Sequence, residues 1–209
     1  DNGILAGVEI AIQIFNIVDP GLKIQVLIQD GTKVNHGDIA FIVEGKTRSI
    51  LLAERLVLNT MQRMSGIATK TNHFVNKIAH TQCKVLDTRK TTPNFRYFEK
   101  LAVKIGGGVN HRFGLYDMIM LKDNHVDYSG GIENAIKRAD AYRKAHQMKV
   151  PIEVETRNLK EVQIALESGL VDRIMLDNFT VEACREAVLW VNHRIPLGAS
   201  GGINEETIV

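Results

Sequence analysis

The chain has 209 residues, 44% of them hydrophobic and 24% charged, with a formal net charge of +2 at pH 7. That suits a soluble globular protein of one or two domains with a real core. The net charge is too small to argue for nucleic-acid or membrane partners, so any basic character that matters must be local. Cys83 and Cys184 form neither a CxxC pair nor a disulfide framework, which favours a reducing, cytoplasmic setting. No basic stretch followed by an apolar segment opens the sequence. The most apolar run, Ile4 to Val18, is interrupted by Glu9, Gln13 and Asn16 and is too short and polar to span a bilayer.

In chain order, Ile4, Val8, Ala11, Phe15 and Val18 fall at helical spacing, and Asp19-Pro20-Gly21 closes that amphipathic helix. Two strand-like runs follow, Lys23–Gln29 and Asp38–Glu44, with Asp30-Gly31 and His36-Gly37 as turn residues between them. A long helical pattern from about Ser49 to Ala79 places Val57, Met61, Met64, Ala68, Val75 and Ile78 on one face, with Gly66 as a break or a close contact. His73 and His80 read as surface residues of that helix. Residues 1–80 thus read as a small α+β sandwich domain.

From residue 81 to 209 the rhythm changes. Short apolar runs (Lys84–Leu86, Met118–Leu121, Ile152–Val154, Arg173–Leu176, Pro196–Ala199) alternate with helical stretches (Phe95–Val103, Gly131–His146, Leu159–Ser168, Val181–Val191). Such alternation implies parallel strands with helical crossovers. No Gly-x-Gly-x-x-Gly opens a helix, which weighs against a dinucleotide fold. The expectation is an α/β barrel.

Polar groups follow each apolar run. Asp87, Thr88, Arg89 and Lys90 come after Leu86, and Lys122, Asp123 and Asn124 after Leu121. Glu153 and Glu155 alternate with Ile152 and Val154, Asp177 and Asn178 follow Leu176, and Ser200-Gly201-Gly202 follows Ala199. In parallel barrels the C-terminal strand ends share one mouth, where catalysis sits. Arg89, Lys90 and Lys122, with His111 and Arg112 from the loop after Gly106-Gly107-Gly108, would gather five potential cations there. Such a gathering makes sense when anions fill it, since charge-assisted bonds are worth about 1.5–3 kcal/mol each, and arginine's fork suits carboxylate or phosphate. Ser200-Gly201-Gly202 ahead of a helix, with Asn204 as N-cap, would offer backbone N–H groups to a phosphate. Glu155 and Asp177 could hold Mg²⁺, accept sugar hydroxyl bonds or stabilise a positive transition state.

Each position alone also has a purely structural reading: a solvated lysine, an ordinary Gly-Gly turn, an edge strand. Coincidence at five strand ends favours function. Other signals fail. Gly45-Lys46-Thr47 is no P-loop, because Ala40 stands where the first glycine is needed. The seven histidines form no HExxH and no Cys/His cluster. The Asp30 to Gly45 hairpin is similar to half of a lipoyl carrier module but lacks the Met-Lys-Met turn. His125 is left open as a cap or a contact at the mouth.

Leu86-Asp87-Thr88-Arg89-Lys90-Thr91-Thr92-Pro93 resembles the central motif of the quinolinate phosphoribosyltransferases. Gly106 to Arg112, Leu121-Lys122-Asp123-Asn124-His125, Glu153-Val154-Glu155, Leu176 to Phe179 and Ala199 to Ile203 follow in the family's order. Asp1-Asn2-Gly3 and Ala53-Glu54-Arg55 also resemble family segments. The resemblance implies an open, incomplete α/β barrel of parallel strands preceded by the small sandwich domain, with family residues before Asp1 and strands after Val209. It implies conversion of quinolinate and phosphoribosyl pyrophosphate to nicotinate mononucleotide, pyrophosphate and CO₂ with Mg²⁺, in NAD biosynthesis. It further implies that Arg89, His111, Arg112 and Lys122 clamp the carboxylates, with Thr88 also in the substrate site, and that Lys90 and Lys122 face the donor. Glu155 and Asp177 would meet the ribose hydroxyls and the metal, directly or through substrate-bound Mg²⁺, and Ser200, Gly201 and Gly202 the 5′-phosphate. Arg55 would enter a neighbouring subunit's site, making a homodimer or higher assembly. A nicotinate phosphoribosyltransferase and a non-catalytic anion-binding module are the competing readings.

Overall fold

A computed structural model of the chain describes residues 2–209; Asp1, part of the Asp1-Asn2-Gly3 segment, lies outside the described residues. The chain forms two compact units, Asp1–His111 and Arg112–Val209.

The first unit opens with β1 (Gly3–Ile4), so the helix read from Ile4 begins later, as α1 (Val8–Val18). Gly7 explains the delay: its φ of 102° is left-handed and cannot continue a helix. The backbone N–H groups of Ile4 and Ala6 donate instead to Thr69 Oγ1 (2.8 Å) and Ser65 Oγ (2.9 Å), while Val8 N–H donates to Asp30 Oδ1 at 2.9 Å. β2 (Lys23–Val26) pairs antiparallel with β4 (Phe41–Glu44), and β3 (Lys33–Val34) pairs with β1. Alternation sends Ile24, Val26, Phe41 and Val43 against the core of α1 and α2 and leaves Lys23, Gln25 and Glu44 outside.

Helix α2 (Thr47–Lys77) buries Ala53, Val57, Met61, Met64 and Ala68, a stripe at spacings of three and four. Gly66 neither breaks it nor marks a close approach, since a Cβ there would meet no heavy atom within 4 Å. The close approach is at Gly106, just past α3 (Arg96–Ile105), where a Cβ would overlap the Ala68 carbonyl oxygen of α2. The strand expected at Lys84–Leu86 reduces to one parallel bridge, Leu86 to Val109. Val109 N–H donates to the Val85 carbonyl at 2.8 Å and its carbonyl accepts from Asp87 N–H at 3.2 Å, while Gly106-Gly107-Gly108 just before it packs closely on α2.

In the second unit four parallel strands run in sequence order: β5 (Ile119–Leu121), β6 (Ile152–Thr156), β7 (Arg173–Asp177) and β8 (Leu197–Ser200). The intervening helices are α4 (Asp123–Tyr128), α5 (Ile132–Ala145), α6 (Leu159–Ser168) and α7 (Val181–Val191). Leu121, Ile152, Val154, Ile174 and Leu176 share one core with Ile136 of α5, Val162 of α6 and Ala187 of α7. Because those strand residues have one parity, these three helices cover one sheet face. That is the winding of an open α/β barrel, not of a doubly wound sheet. The strands and longer helices start and stop within two residues of where periodicity put them. Helix α4 was not foreseen: six residues are too few to show a period.

Candidate active site

Strand parity selects the chemistry of the second unit. With Ile152 and Val154 turned to the helices, Glu153 and Glu155 face the other way. The register pairs Leu121 with Val154 and Asp177 with Ser200, so Lys122, Glu155, Asp177 and Ser200 all lie on the helix-free face at C-terminal strand ends. Lys122 Nζ donates to Glu155 Oε1 at 3.1 Å, joining cation and acid across adjacent strands. Glu153 lies deeper on that face and is fully buried. Lys122 is also the N-cap of α4, and its N–H donates to His125 Nδ1 at 3.0 Å; His125 is thereby a cap. Arg112, half-buried, precedes β5 and donates from Nη1 to the Met118 carbonyl at 3.4 Å.

Beyond β8 the chain turns through Gly201 (φ 78°) and Gly202 (φ 68°). No helix follows within residues 201–209; one bond from Ile208 N–H to the Asn204 carbonyl (3.1 Å) closes a single turn. Asn204 Oδ1 caps that turn, accepting from the N–H groups of Glu206 (2.8 Å) and Thr207 (3.1 Å). Ser200, Gly201 and Gly202 thus lead through a glycine turn into a turn capped by Asn204. Asn178 braces it. Its own φ is 55°, a left-handed value asparagine tolerates. Its N–H donates to the Ser200 carbonyl at 2.7 Å, its Nδ2 to Asp177 Oδ2 at 3.1 Å, and its side chain fills the space a Cβ on Gly201 would need.

In the first unit Thr88, Arg89 and Lys90 sit on the loop between Asp87 and α3. Thr88 Oγ1 accepts from Lys90 N–H at 3.0 Å, and both residues are exposed. Arg89 is half-buried, and its Nε is buried with no hydrogen-bond partner among the described residues. Asp87 is not a free acid. It forms an ion pair with Lys100, accepts from Asn110 Nδ2 (2.5 Å) and from His111 N–H (2.9 Å), and so ties the His111 backbone to the cationic loop. Arg55 is exposed on α2, two turns or about 12 Å along the axis from Arg63.

Sequence reading quoted Asp87, Asn110 and Asn178 within motifs but assigned them no work, and it passed over Arg96, Glu99 and Lys100 altogether. The signal for the last three was present: positions i, i+3 and i+4 of the helix after the cationic motif share a face.

The strand-end chemistry and singly wound sheet define an α/β-barrel protein that presents cations and carboxylates together. Residues 67–209 match the family described as quinolinate phosphoribosyl transferase, C-terminal domain, and residues 1–65 match its N-terminal domain. The chain is 43% identical to the mitochondrial quinolinate phosphoribosyltransferase [decarboxylating] 2 of Nicotiana glauca, covering 100% of this chain and 63% of that protein. It is 45% identical to the chloroplastic nicotinate-nucleotide pyrophosphorylase [carboxylating] of Arabidopsis thaliana, with the same coverage of 100% and 63%. Among solved structures, NadC from Streptococcus pyogenes superposes with a TM-score of 0.93 at 40% identity, covering 100% of this chain and 72% of that one. The chain belongs to the quinolinate phosphoribosyltransferase family. It spans about 63% of the length of the curated plant relatives it matches.

Proposed function

We propose that this chain belongs to an enzyme that transfers a phosphoribosyl group to quinolinate and decarboxylates the product, giving nicotinate mononucleotide, pyrophosphate and CO₂. One observation carries this reading: Lys122, Glu155, Asp177 and Ser200 share the helix-free face at the C-terminal strand ends. A pure anion binder has little use for two carboxylates among its cations. An enzyme that develops positive charge on a ribose while expelling pyrophosphate needs both signs.

In the proposed reaction the anomeric C–O bond to pyrophosphate breaks with oxocarbenium character, and the pyridine nitrogen's lone pair forms the new C–N bond. Glu155 and Asp177 offset the developing positive charge and accept from ribose hydroxyls. Lys90 and Lys122 draw the pyrophosphate. Arg89, His111, Arg112 and Lys122 hold the two carboxylates, with Thr88 beside them, and the buried Arg89 Nε is a donor suited to such an anion. Ser200, Gly201 and Gly202 take the 5′-phosphate. The ring nitrogen, now cationic, stabilises the electron pair left on the adjacent ring carbon as its carboxylate departs as CO₂, and that carbon then takes up a proton from solvent. No protein nucleophile is required.

Among the described residues no three His, Cys, Asp or Glu side chains form a metal cage. Glu155 and Asp177 offer one carboxylate each, a set that fits Mg²⁺ held largely by donor phosphates. When bound, Mg²⁺ would neutralise charge on the departing pyrophosphate. We further propose a homodimer in which Arg55 serves the neighbouring site. Exposed Leu51, Leu52 and Leu56 flank it on α2, with Leu52 at 72% exposure, and such a row suits an interface. Cytoplasmic action is our reading from two scattered cysteines. Among the described residues no helix is long and apolar enough to cross a membrane.

The test is product formation by the full-length protein with Mg²⁺, donor and either acid. Quinolinate consumption with stoichiometric CO₂ and pyrophosphate is expected. Consumption of nicotinate alone would reassign the substrate, and tight binding without pyrophosphate release would make it an anion-binding module.

A further inference from the structure

The loop that bears Arg89 and Lys90 is held from one side by a single helix face. Arg96, Glu99 and Lys100 lie at i, i+3 and i+4 of α3, and each grips a different part of the loop. Lys100 pairs with Asp87 where the loop begins, and both side chains are almost wholly buried, at 4% and 6% exposure. Glu99 grips the far end: Oε2 accepts from Thr92 N–H (3.2 Å), and Oε1 accepts from Thr92 Oγ1 (2.8 Å) and Arg63 Nη2 (2.6 Å). Between them Arg96 donates from Nε to Thr91 Oγ1 (3.2 Å) and from Nη2 to the Arg89 carbonyl (3.4 Å).

Burying two adjacent opposite charges is an expensive way to stabilise a helix, since apolar residues of similar size often do as well or better. Removal of either partner leaves the other charge stranded. What charged groups provide and apolar ones cannot is a fixed orientation for polar backbone, because each bond has a direction. Apart from the Arg63 pair, those bonds end on four loop positions, Asp87, Arg89, Thr91 and Thr92, and Asp87 carries the hold on to the His111 backbone. The span between the two anchors is Thr88 to Thr91, and it carries both cations. The wholly buried pair thus fixes the start of the loop, and the Glu99–Arg63 pair fixes its end.

We infer that Glu99 and Lys100 are positioning residues that hold the Arg89–Lys90 loop in its anion-binding pose. Neither need touch substrate. The inference rests on the proposed quinolinate and pyrophosphate chemistry and adds to it residues outside the substrate-contacting set. It predicts that their effect passes through Arg89 and Lys90, not through general stability.

The test is a double-mutant cycle in the full-length protein. Glu99→Gln and Thr92→Val are each combined with Arg89→Ala, where calorimetry reads the affinity for quinolinate, and with Lys90→Ala, where it reads the affinity for inorganic pyrophosphate. Thr92→Val removes the hydroxyl bond to Glu99 from an exposed position and keeps the backbone one, so it weakens the same link even where Glu99→Gln fails to fold. Each single variant is expected to weaken anion binding about tenfold, the scale of a mispositioned group. In the Arg89→Ala background for quinolinate, and the Lys90→Ala background for pyrophosphate, the same change should cost less than about twofold, because coupled residues are non-additive. Equal losses in both backgrounds, or no loss in either, overturn the inference. Turnover of quinolinate by the parent protein is measured alongside. Its absence defeats the functional reading alone, because the pyrophosphate arm still reports whether the clamp acts through Lys90 on the same loop.

Discussion

In the first unit the groups we propose for anion binding stand on irregular backbone, and side chains hold that backbone still: Asp87 with Lys100, Glu99 with Thr92 and Arg63. In the second unit the corresponding groups stand at strand ends, and the ladder itself sets their direction, with the Lys122–Glu155 bond added across two strands. The difference teaches where substitutions should hurt stability and where they should hurt only chemistry. A loop positioned by buried charge depends on every member of the clamp. A strand end positioned by register keeps its geometry when its functional side chain is exchanged, because the apolar residues of opposite parity still fix the face.

The largest expected effect is on the first side. Asp87→Ala leaves Lys100 buried without its partner and frees the His111 and Asn110 bonds, so it should destabilise folding by about 3–5 kcal/mol. Denaturant unfolding measures it. Adding Lys100→Met to Asp87→Ala should recover much of that loss in stability without recovering anion binding. A single variant as stable as the parent would show that the clamp carries no weight.

Across the comparison, Glu155→Gln should behave in the opposite way. Lys122 is 45% exposed and its pair with Glu155 is worth no more than about 1 kcal/mol. Unfolding should thus barely shift. Turnover should fall by about 100-fold or more, because a charge aimed at the developing cation is lost from the site. A large loss of stability with turnover intact would erase the contrast between the two units.

Asn178 sharpens the contrast, since it is a strand-end residue in the second unit whose own side chain braces a neighbouring turn. Asn178→Val forces a β-branched side chain into φ 55° and should cost about 1–2 kcal/mol, whereas Asn178→Gly should leave unfolding nearly unchanged. Both variants lose the bond to Asp177 and the brace on Gly201, so both should weaken phosphate binding. Separate behaviour in unfolding, with shared behaviour in binding, is the signature to look for. If Asn178→Gly binds inorganic phosphate as the parent does, the brace is irrelevant to the turn.

Much of this was legible in the sequence, and unevenly so. Runs such as Ile152–Val154 and Arg173–Leu176 carry period and length together, so strands, faces and the acids between them could be read directly. The first unit gave less. Ile4 fits a helical period by spacing alone, and only the left-handed turn at Gly7 denies it. Lys84–Leu86 has strand composition, but a strand needs a partner, and the neighbouring backbone offers Val109 alone. Glu99 and Lys100 look like any solvated helix face, because burial of a charge depends on what the fold sets against it. Asn204 was read as a cap, and its side chain accepts from the N–H groups of Glu206 and Thr207 at the start of the turn that follows.

The smallest effect concerns acid. Burial pushes the Glu99 carboxyl up, but the hydrogen bonds from Arg63 and Thr92, with the Arg63 charge, outweigh it and hold the group below the usual glutamate range. A carboxyl depressed in the folded state contributes stability that is fully present above its unfolded value of about 4.3. That contribution disappears as pH falls through the lower folded value. Glu99→Gln has no proton to take up at this position. The difference in melting temperature between parent and variant should therefore be constant above about pH 5 and shrink below about 4.3. If it holds steady to pH 3, the Glu99 charge does not latch the loop, and the far end of the first unit's clamp is no firmer than a neutral hydrogen bond.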